Sequence, residues 1–195
     1  MRNKIISAVI AAVVIASGYA FVSQRAYRGG NGAPTASAAA VDYYLKLGDI
    51  KGESTDRTHK DEIDIMSWSW GMSQTGTVGT GKGAAKVNVQ NFPFTKLVDK
   101  ASPVLLVACA SGKHYPEAKL TVRKAGGEQQ EYLMITMQDV VCSSLSLSGS
   151  QSELPTESVS LNFSKIKMEY KPINEAGVAG GSVTGGWDVK KNTKF

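Results

Sequence analysis

The segment VDYYLKL, residues 41–47, shows the pattern that decides the fold of this chain. Val41, Tyr43, Leu45 and Leu47 alternate with less apolar residues, which is the period of a strand with one buried face. The same period of two returns over residues 63–70, 87–89, 120–122, 132–137, 159–163 and 166–170. Many short strands of this kind predict a mainly β protein built as a two-sheet β-barrel or sandwich.

Two departures from this period carry structural predictions of their own. The apolar positions of residues 159–163 are odd-numbered and those from Ile166 are even-numbered, which predicts a bulge or a crossing between sheets near Ser164. A helical excursion interrupts the strands, with Thr95 expected to cap a helix over residues 96–101. Ser102 and Pro103 are expected to start a second apolar helical segment, residues 104–110, that ends at Gly112.

The basic charge of the chain belongs to its first forty residues. The 195 residues contain 22 Lys and Arg and 17 Asp and Glu, a formal net charge of +5. Arg2, Lys4, Arg25 and Arg28 lie in the first forty residues, which contain no acidic side chain. The body that follows is therefore close to neutral, with mixed signs typical of a solvated surface, and we expect no nucleic-acid partner.

An apolar run over residues 5–22 follows Arg2 and Lys4. It fits the hydrophobic region of a signal peptide, and as a helix of about 27 Å it also fits an inner-membrane anchor. A wrongly assigned translation start is the third interpretation, and the residues do not decide among the three. The resulting division is a signal peptide or membrane anchor over 1–28, a flexible linker over 29–40 and a β-barrel domain over 41–195.

The glycine-rich segment GTVGTGKG, residues 76–83, nearly matches the phosphate-binding loop pattern. Gly83 stands where that pattern requires Ser or Thr, so the hydroxyl that ligates magnesium is missing. A strand pattern follows at residues 87–89, whereas a phosphate-binding loop is followed by a helix. The segment is therefore predicted to be a flexible loop between two strands, without a bound nucleotide.

No other group of residues has the spacing of a catalytic or metal site. Cys109 and Cys142 lie in apolar segments and are expected to be small buried side chains, able to pair only in an oxidising compartment. His114 follows Cys109 by five residues, but nothing supplies a third, orienting group. The acidic residues between Asp56 and Asp64 are expected to form a solvated charged loop. The sequence thus predicts no enzyme, no metal and no cofactor.

The segment Trp68-Ser69-Trp70 predicts a face with a particular chemistry. On a strand the two tryptophans share one face and Ser69 takes the other. Burial of the indole rings would then leave Ser69, with its small neighbours Ser67 and Gly71, exposed to water.

Several separated segments, in the same order, resemble the Hcp family of hemolysin-coregulated proteins, which are tube subunits of the bacterial type VI secretion system. The segments that carry the resemblance are VDYYLKLGDIKG (41–52), SWSWGMSQ (67–74), KVNVQNFPFTK (86–96), GKHYPEAKLTVRKAGG (112–127) and SLNF (160–163). The resemblance covers most of residues 41–190 and none of residues 1–40.

The resemblance implies a two-sheet β-barrel with one flanking α-helix, assembled as a homohexameric ring. Rings would stack into a hollow tube that a contractile sheath propels, that a VgrG-type spike caps and that carries effector proteins in its lumen. It also implies export through the type VI system and no enzymatic activity. The predicted leader departs from this family pattern. Residues 1–28 would direct the body to the periplasm or hold it at the inner membrane.

The resemblance also suggests roles for particular residues. Ser69 matches a small residue between the tryptophans of the family and is expected to face the lumen. The loop of Gly76, Thr77, Val78, Gly79, Thr80, Gly81, Lys82 and Gly83 is expected to reach the next ring and to become ordered on stacking. The alternative interpretation is an exported or inner-membrane-anchored β-barrel binding module of the same family that does not build a tube.

Overall fold

A computed structural model describes residues 41–74, 86–124, 129–174 and 179–195. These residues contain one helix, α1 (Ser102–Ser111), and twelve strands that precede and follow it. The strands before the helix are β1 (Val41–Leu47), β2 (Ile63–Asp64), β3 (Ser67–Trp68), β4 (Met72–Ser73), β5 (Asn88–Val89) and β6 (Phe92–Leu97). Those after it are β7 (His114–Lys124), β8 (Glu131–Ser150), β9 (Glu153–Asn162), β10 (Lys165–Tyr170), β11 (Val183–Asp188) and β12 (Thr193–Lys194).

Antiparallel pairing runs around a closed path and makes a barrel. In order around the barrel, β1 pairs with β7, β7 with β8, β8 with β9, β9 with β6 and β6 with β3. The path closes because β2 and β3 lie on one short segment, and β2 pairs back with β1. Between them, the N–H of Ile65 donates to the Tyr43 carbonyl at 3.0 Å and the N–H of Met66 to the Thr95 carbonyl at 2.8 Å.

A second layer branches from the barrel at the middle of β8. The first half of β8 pairs with β10, and the second half pairs with β9. The exchange occurs beside Asp139, which has a positive φ of 54°, and the Ser164 N–H donates to the Gln138 carbonyl at 3.0 Å. β11 and β12 extend the outer layer from β10, and β4 pairs with β5 as a separate small hairpin. The predicted crossing near Ser164 is confirmed.

The change of parity at this crossing keeps apolar side chains inside. Leu161 and Phe163 are buried before it, and Ile166 is buried after it. They belong to one hydrophobic core of buried strand and helix residues. The largest apolar side chains that are fully buried are Leu45, Leu47, Ile63, Phe92, Phe94, Leu105, Tyr115, Leu120, Ile135, Met137 and Leu161.

The second predicted helical segment is confirmed, and the first is wrong. α1 begins at Ser102 with Pro103 in its first turn and ends at Gly112, whose φ of 63° is the left-handed conformation that glycine adopts readily. Residues 96 and 97 instead end strand β6, and Thr95 hydrogen-bonds Ser67 through its hydroxyl rather than capping a helix. Pairing of β6 with β9 outweighed the local capping signal, because it buries Lys96 against Glu157.

Candidate functional site: a hydroxyl-rich face of the barrel

The two tryptophans around Ser69 are anchored toward the barrel. Trp68 stacks on Phe92 with ring centroids 5.6 Å apart, and the Trp70 indole N–H donates to the Gln90 carbonyl at 3.1 Å. Both rings are partly buried, whereas Ser69 is exposed. The Ser69 N–H donates to the Pro93 carbonyl at 3.2 Å, so Ser69 continues the pairing of β3 with β6. The predicted exposure of Ser69 opposite the tryptophans is confirmed.

Ser69 belongs to a larger set of hydroxyl side chains on the outer surface of four neighbouring strands. The set, which we call the hydroxyl face, comprises Ser67, Ser69, Thr95, Ser144, Ser146, Ser148, Thr156, Ser158 and Ser160. The pairing register aligns them in rows across β8, β9, β6 and β3. One row runs through Ser146, Ser158, Thr95 and Ser67, because these residues are successive cross-strand partners.

The hydroxyl face carries no charged side chain, although charged residues occur in the same strands. Lys96 and Glu157 alternate with its members and point inward, where both are buried. Four strands at about 4.8 Å spacing make the face about 14 Å wide. Such a surface offers many weak donors and acceptors, each of which gains only about 1 kcal/mol when it exchanges water for a protein partner.

Hydrogen bonds between side chains order the polar groups of this face and of the adjoining row. The hydroxyls of Ser67 and Thr95 lie 2.6 Å apart. One residue row farther along, the Asn162 amide donates to Asn91 at 2.8 Å and the Asn91 amide donates to Ser143 at 3.1 Å. The arrangement is a shallow polar surface of small side chains.

A buried ionic cluster lies beneath the hydroxyl face and joins β6, β9 and α1. The Lys96 ammonium contacts Glu157 at 2.7 Å and Asp99 at 2.6 Å, and it donates to the Ser102 hydroxyl at 3.2 Å. The Ser102 hydroxyl also donates to Glu157 at 2.8 Å. Because Lys96 and Glu157 are fully buried, these contacts position the strands that carry the hydroxyl face and do not bind a ligand.

A second ionic cluster surrounds Arg123 on β7. It shows that the prediction of a solvated charged loop between Asp56 and Asp64 is wrong. The buried Arg123 guanidinium donates to Asp56 at 2.7 Å and to the Tyr44 hydroxyl at 2.7 Å. The hydrogen bond from Arg123 holds the pKa of Asp56 well below its usual range, whereas burial raises the pKa of Tyr44 to about 12. Glu62 hydrogen-bonds the buried His59 ring at 3.0 Å, so this loop is tied to the barrel.

The two cysteines lie near each other, and His114 has a different partner. Cys109 and Cys142 are free thiols, and burial, with a contribution from Cys109, raises the pKa of Cys142 to about 12. His114 hydrogen-bonds Asp139 at 2.8 Å rather than a cysteine. The loop of residues 76–83 lies outside the described residues, as do the predicted leader and linker.

In the described part of the chain, His, Cys, Asp and Glu side chains form no group of three or more that could hold a metal ion. Within the same residues, which exclude 1–40, the one helix is too short to cross a membrane.

Sequence reasoning found Ser69 and missed the rest of the hydroxyl face. The signal was present in SSLSLSGS, residues 143–150, and in SVS, residues 158–160, where hydroxyl and apolar residues alternate. Alternation shows that a strand has one hydroxyl-bearing side, but it does not show which strands are neighbours. The pairing of β8, β9, β6 and β3 supplied that information.

The closed barrel with its flanking helix defines a β-barrel protein, and comparison with known families gives its class. The family model described as type VI secretion system effector, Hcp, matches residues 44–170. The chain belongs to the Hcp family.

Individual relatives agree with this assignment. Protein hcp1 of Pseudomonas aeruginosa is 54% identical over 160 residues, which cover 80% of this chain and 99% of that protein. The crystal structure of Hcp1 from Salmonella typhimurium aligns with a TM-score of 0.68 at 42% identity, covering 80% of this chain and 99% of that one. Hcp2 from Salmonella typhimurium aligns with a TM-score of 0.61 at 39% identity, covering 78% and 98%.

Proposed function

We propose that this protein is a structural subunit of the inner tube of the type VI secretion system. Copies of the chain form hexameric rings, the rings stack, and the stack is exported with effector proteins in its lumen. The observation that carries the proposal is the uncharged hydroxyl face around Ser69, which we place on the lumen side of the ring. Family membership supports the assignment to this secretion system.

The chemistry of the hydroxyl face suits the lining of a transport channel. A lining that carried one sign of charge would bind oppositely charged cargo tightly and exclude the rest. Hydroxyl groups make weak, exchangeable hydrogen bonds with the polar surfaces that all folded proteins present. Small side chains also leave the bore wide. The face therefore retains cargo loosely and releases it, which is what a carrier of varied effectors needs.

Exposed apolar residues on α1 support assembly. The helix has no charged residue, and it exposes Val104, Leu106 and Val107 at 45, 53 and 62%. Contiguous apolar surface of this kind marks protein interfaces more often than free surface. A closed ring needs two different surfaces on each subunit that fit one another around the symmetry axis, and α1 is a candidate for one of them.

The same proposal assigns the partners. The tube contacts a VgrG-type spike at its tip, a contractile sheath around its outside and effector proteins within its lumen. Residues 76–83 are proposed to contact the next ring. Residues 1–28, retained as an anchor, would hold rings at the inner membrane; removed as a signal peptide, they would release the body into the periplasm.

The lumen assignment is tested by the variant Ser69→Trp. We expect rings of the full chain to remain intact by electron microscopy, because Ser69 is exposed. Co-purification of an effector produced in the same cells should fall about tenfold or more, because a bulky apolar ring narrows the bore and removes a hydroxyl.

The matched control is Thr184→Trp, which places the same ring on an exposed position of β11 outside the hydroxyl face. It should retain effector like the unmodified chain. If Ser69→Trp and the control retain the effector equally, Ser69 does not face the lumen. Absence of rings from the unmodified chain would contradict the proposed function itself.

A further inference from the structure

The two cysteines of the chain lie where α1 packs against β8. Leu105, Ala108 and Cys109 are spaced by three and four residues along α1, which places them on one face of the helix. Leu105 and Ala108 are buried, and Cys109 packs against the hydrophobic core. Cys142 on β8 belongs to that core and is 5% exposed. The inner face of the helix therefore carries the Cys109 thiol toward the strand that carries Cys142.

The backbone on both sides of the pair keeps the end of α1 beside Cys142. The helix ends at Gly112, and β7 begins two residues later at His114, the cross-strand partner of Val141. The last turn of α1 is thus tied to β8 at the residue before Cys142. The Cys142 thiol also donates to the Ser144 carbonyl at 3.5 Å, where the register between β8 and β9 shifts.

The two thiols hydrogen-bond each other but differ in reactivity. Burial first, and then the hydrogen bond with Cys109, raise the pKa of the Cys142 thiol to about 12. The Cys142 thiolate is therefore scarce at neutral pH. Cys109 is partly exposed, so a reagent in solution reaches it first. A reachable thiol beside a buried one is the arrangement of an attacking and a resolving cysteine.

We infer that Cys109 and Cys142 form a disulfide within one chain, and that this bond locks the last turn of α1 to β8 once the protein leaves a reducing compartment. A disulfide requires sulfur atoms about 2.05 Å apart and Cβ atoms about 3.8 Å apart. Thiols that already share a hydrogen bond need only a small movement to reach that separation. Both thiols belong to one subunit, so the bond does not need a ring, although its timing rests on the proposed export.

The oxidant is a second disulfide, of which glutathione disulfide is the simplest example. The Cys109 thiolate attacks one of its sulfur atoms, forms a mixed disulfide and releases one thiolate. Cys142 then loses its proton and attacks the Cys109 sulfur, which releases the second thiolate. Two protein thiols are thereby oxidised to one disulfide, and the oxidant is reduced to two thiols that take up the two protons.

The bond stabilises the form of the protein that is outside a reducing compartment. It joins residues that are 33 positions apart, with β7 and the first half of β8 between them. A cross-link of this span restricts the unfolded chain and so favours the folded one. The exposed apolar residues of α1, Val104, Leu106 and Val107, are held on the barrel by the same bond. In a reducing compartment the thiols stay free, and the chain folds without the bond.

The test treats the folded full chain with glutathione disulfide and counts its free thiols by alkylation in denaturant and mass spectrometry. The reduced chain should take up two alkyl groups. The oxidised chain should take up none, weigh two hydrogen atoms less, and yield a peptide in which Cys109 is joined to Cys142. The melting temperature of the oxidised chain should lie about 5 °C or more above that of the reduced chain, and dithiothreitol should remove the difference.

Variants separate the pair from the chemistry of a single thiol. Cys109→Ser and Cys142→Ala each retain one cysteine, and their melting temperatures should not respond to the oxidant. The matched control combines Cys109→Ala with Val107→Cys, which moves the thiol to the exposed side of the same helix, where Val107 is 62% exposed. This control should react with glutathione disulfide but form no bond with Cys142.

Three results would overturn the inference. The first is an oxidised chain that carries only glutathione at Cys109, or only bonds between chains. The second is an internal bond that forms equally well in the Val107→Cys control, and the third is an internal bond that leaves the melting temperature unchanged.

The timing is tested in cells by acid quenching and alkylation. Chains from the cytoplasm should have two free thiols, and chains from the culture medium should have none. Reduced chains in the medium would overturn the timing. A chain that forms the internal bond but never forms rings would contradict the proposed function and leave the cross-link standing, so the two failures are distinguishable.

Discussion

At the scale of single residues, Arg123 connects parts of the chain that are distant in sequence. Its guanidinium donates to Asp56, to the Tyr44 hydroxyl and, at 3.3 Å, to Asp42. Asp56 in turn accepts hydrogen bonds from the backbone N–H groups of Thr58 and His59 at 2.8 and 3.0 Å. One carboxylate therefore neutralises a buried cation and shapes the loop that follows it.

The variant Asp56→Asn tests this role. We expect a loss of about 2 kcal/mol in the free energy of unfolding at pH 7, because the buried guanidinium loses its shortest ionic contact. The pKa of Asp56 is lowered in the folded state, so its contribution is complete above the unfolded pKa of about 3.9 and declines as the pH falls below it. The difference between the two proteins should therefore shrink in acid.

Urea unfolding followed by fluorescence at pH 7 and in acid provides the measurement. Asp49→Asn is the control, because Asp49 and its partner Lys113 are 80 and 51% exposed and 3.5 Å apart, and exposed pairs contribute little. A loss of stability in Asp56→Asn that persists unchanged below pH 3 would contradict the electrostatic explanation.

At the scale of elements, the pairing of β6 with β9 depends on an ionic cluster rather than on apolar contacts alone. Lys96 and Glu157 are direct cross-strand partners and are both buried. Removing one partner leaves the other charge without compensation, whereas replacing both with apolar residues of similar volume is often tolerated. The free energy of unfolding should therefore differ between a variant that lacks one partner and a variant in which both are apolar.

We therefore expect Lys96→Met to lower the free energy of unfolding by about 3 kcal/mol and Lys96→Met with Glu157→Met to recover at least half of that loss. Urea unfolding of the single and double variants measures both. Lys165→Met is the control, because its ion pair with Asp188 is 3.9 Å long and partly exposed. A double variant less stable than Lys96→Met would show that the cluster is net stabilising.

At the scale of the whole molecule, the closed barrel and the outer layer differ in how well they are enclosed. The barrel strands β1 and β7 are paired along seven residues, and β7 is paired on its other side with β8. The outer layer ends at the two-residue strand β12, and Val183 and Phe195 are 67 and 51% exposed. Strands with exposed edges open locally at lower free energy.

Hydrogen exchange should report this difference. Amides of residues 118–122 in β7 should exchange about a hundredfold or more slowly than those of residues 183–187 in β11, because opening β7 breaks the barrel. Mass spectrometry of peptides from dilute full chain provides the measurement. Equal exchange of the two segments would contradict the separation into a closed barrel and an outer layer.

The origin of the hydroxyl face shows how far local patterns extend. Ser69 could be placed opposite Trp68 and Trp70 because neighbouring residues of a strand take opposite sides. Its partners in the face come from β6, β8 and β9, and Ser146 lies 77 positions away along the chain. Periodicity identifies each strand but contains no information about which strand lies beside it, so the face could not be assembled in advance.

Lys96 illustrates a local signal that predicts the wrong element. A threonine followed by mixed polar and apolar residues is a valid helix-start signal, and nothing nearby argues against it. The partner that decides the conformation, Glu157, is 61 residues later. Local signals compete with pairing energy, and here pairing, with a buried ion pair, was stronger.

The sequence by itself determined the β class of the fold, the crossing near Ser164, the limits of α1 between Ser102 and Gly112, and the exposure of Ser69. Each of these follows from backbone geometry and side-chain alternation over a few residues. Only the tertiary structure decided the closure of the barrel and the extent of the hydroxyl face. Those features depend on pairing between residues far apart in the chain, and the free energy of that pairing is not written in any local pattern.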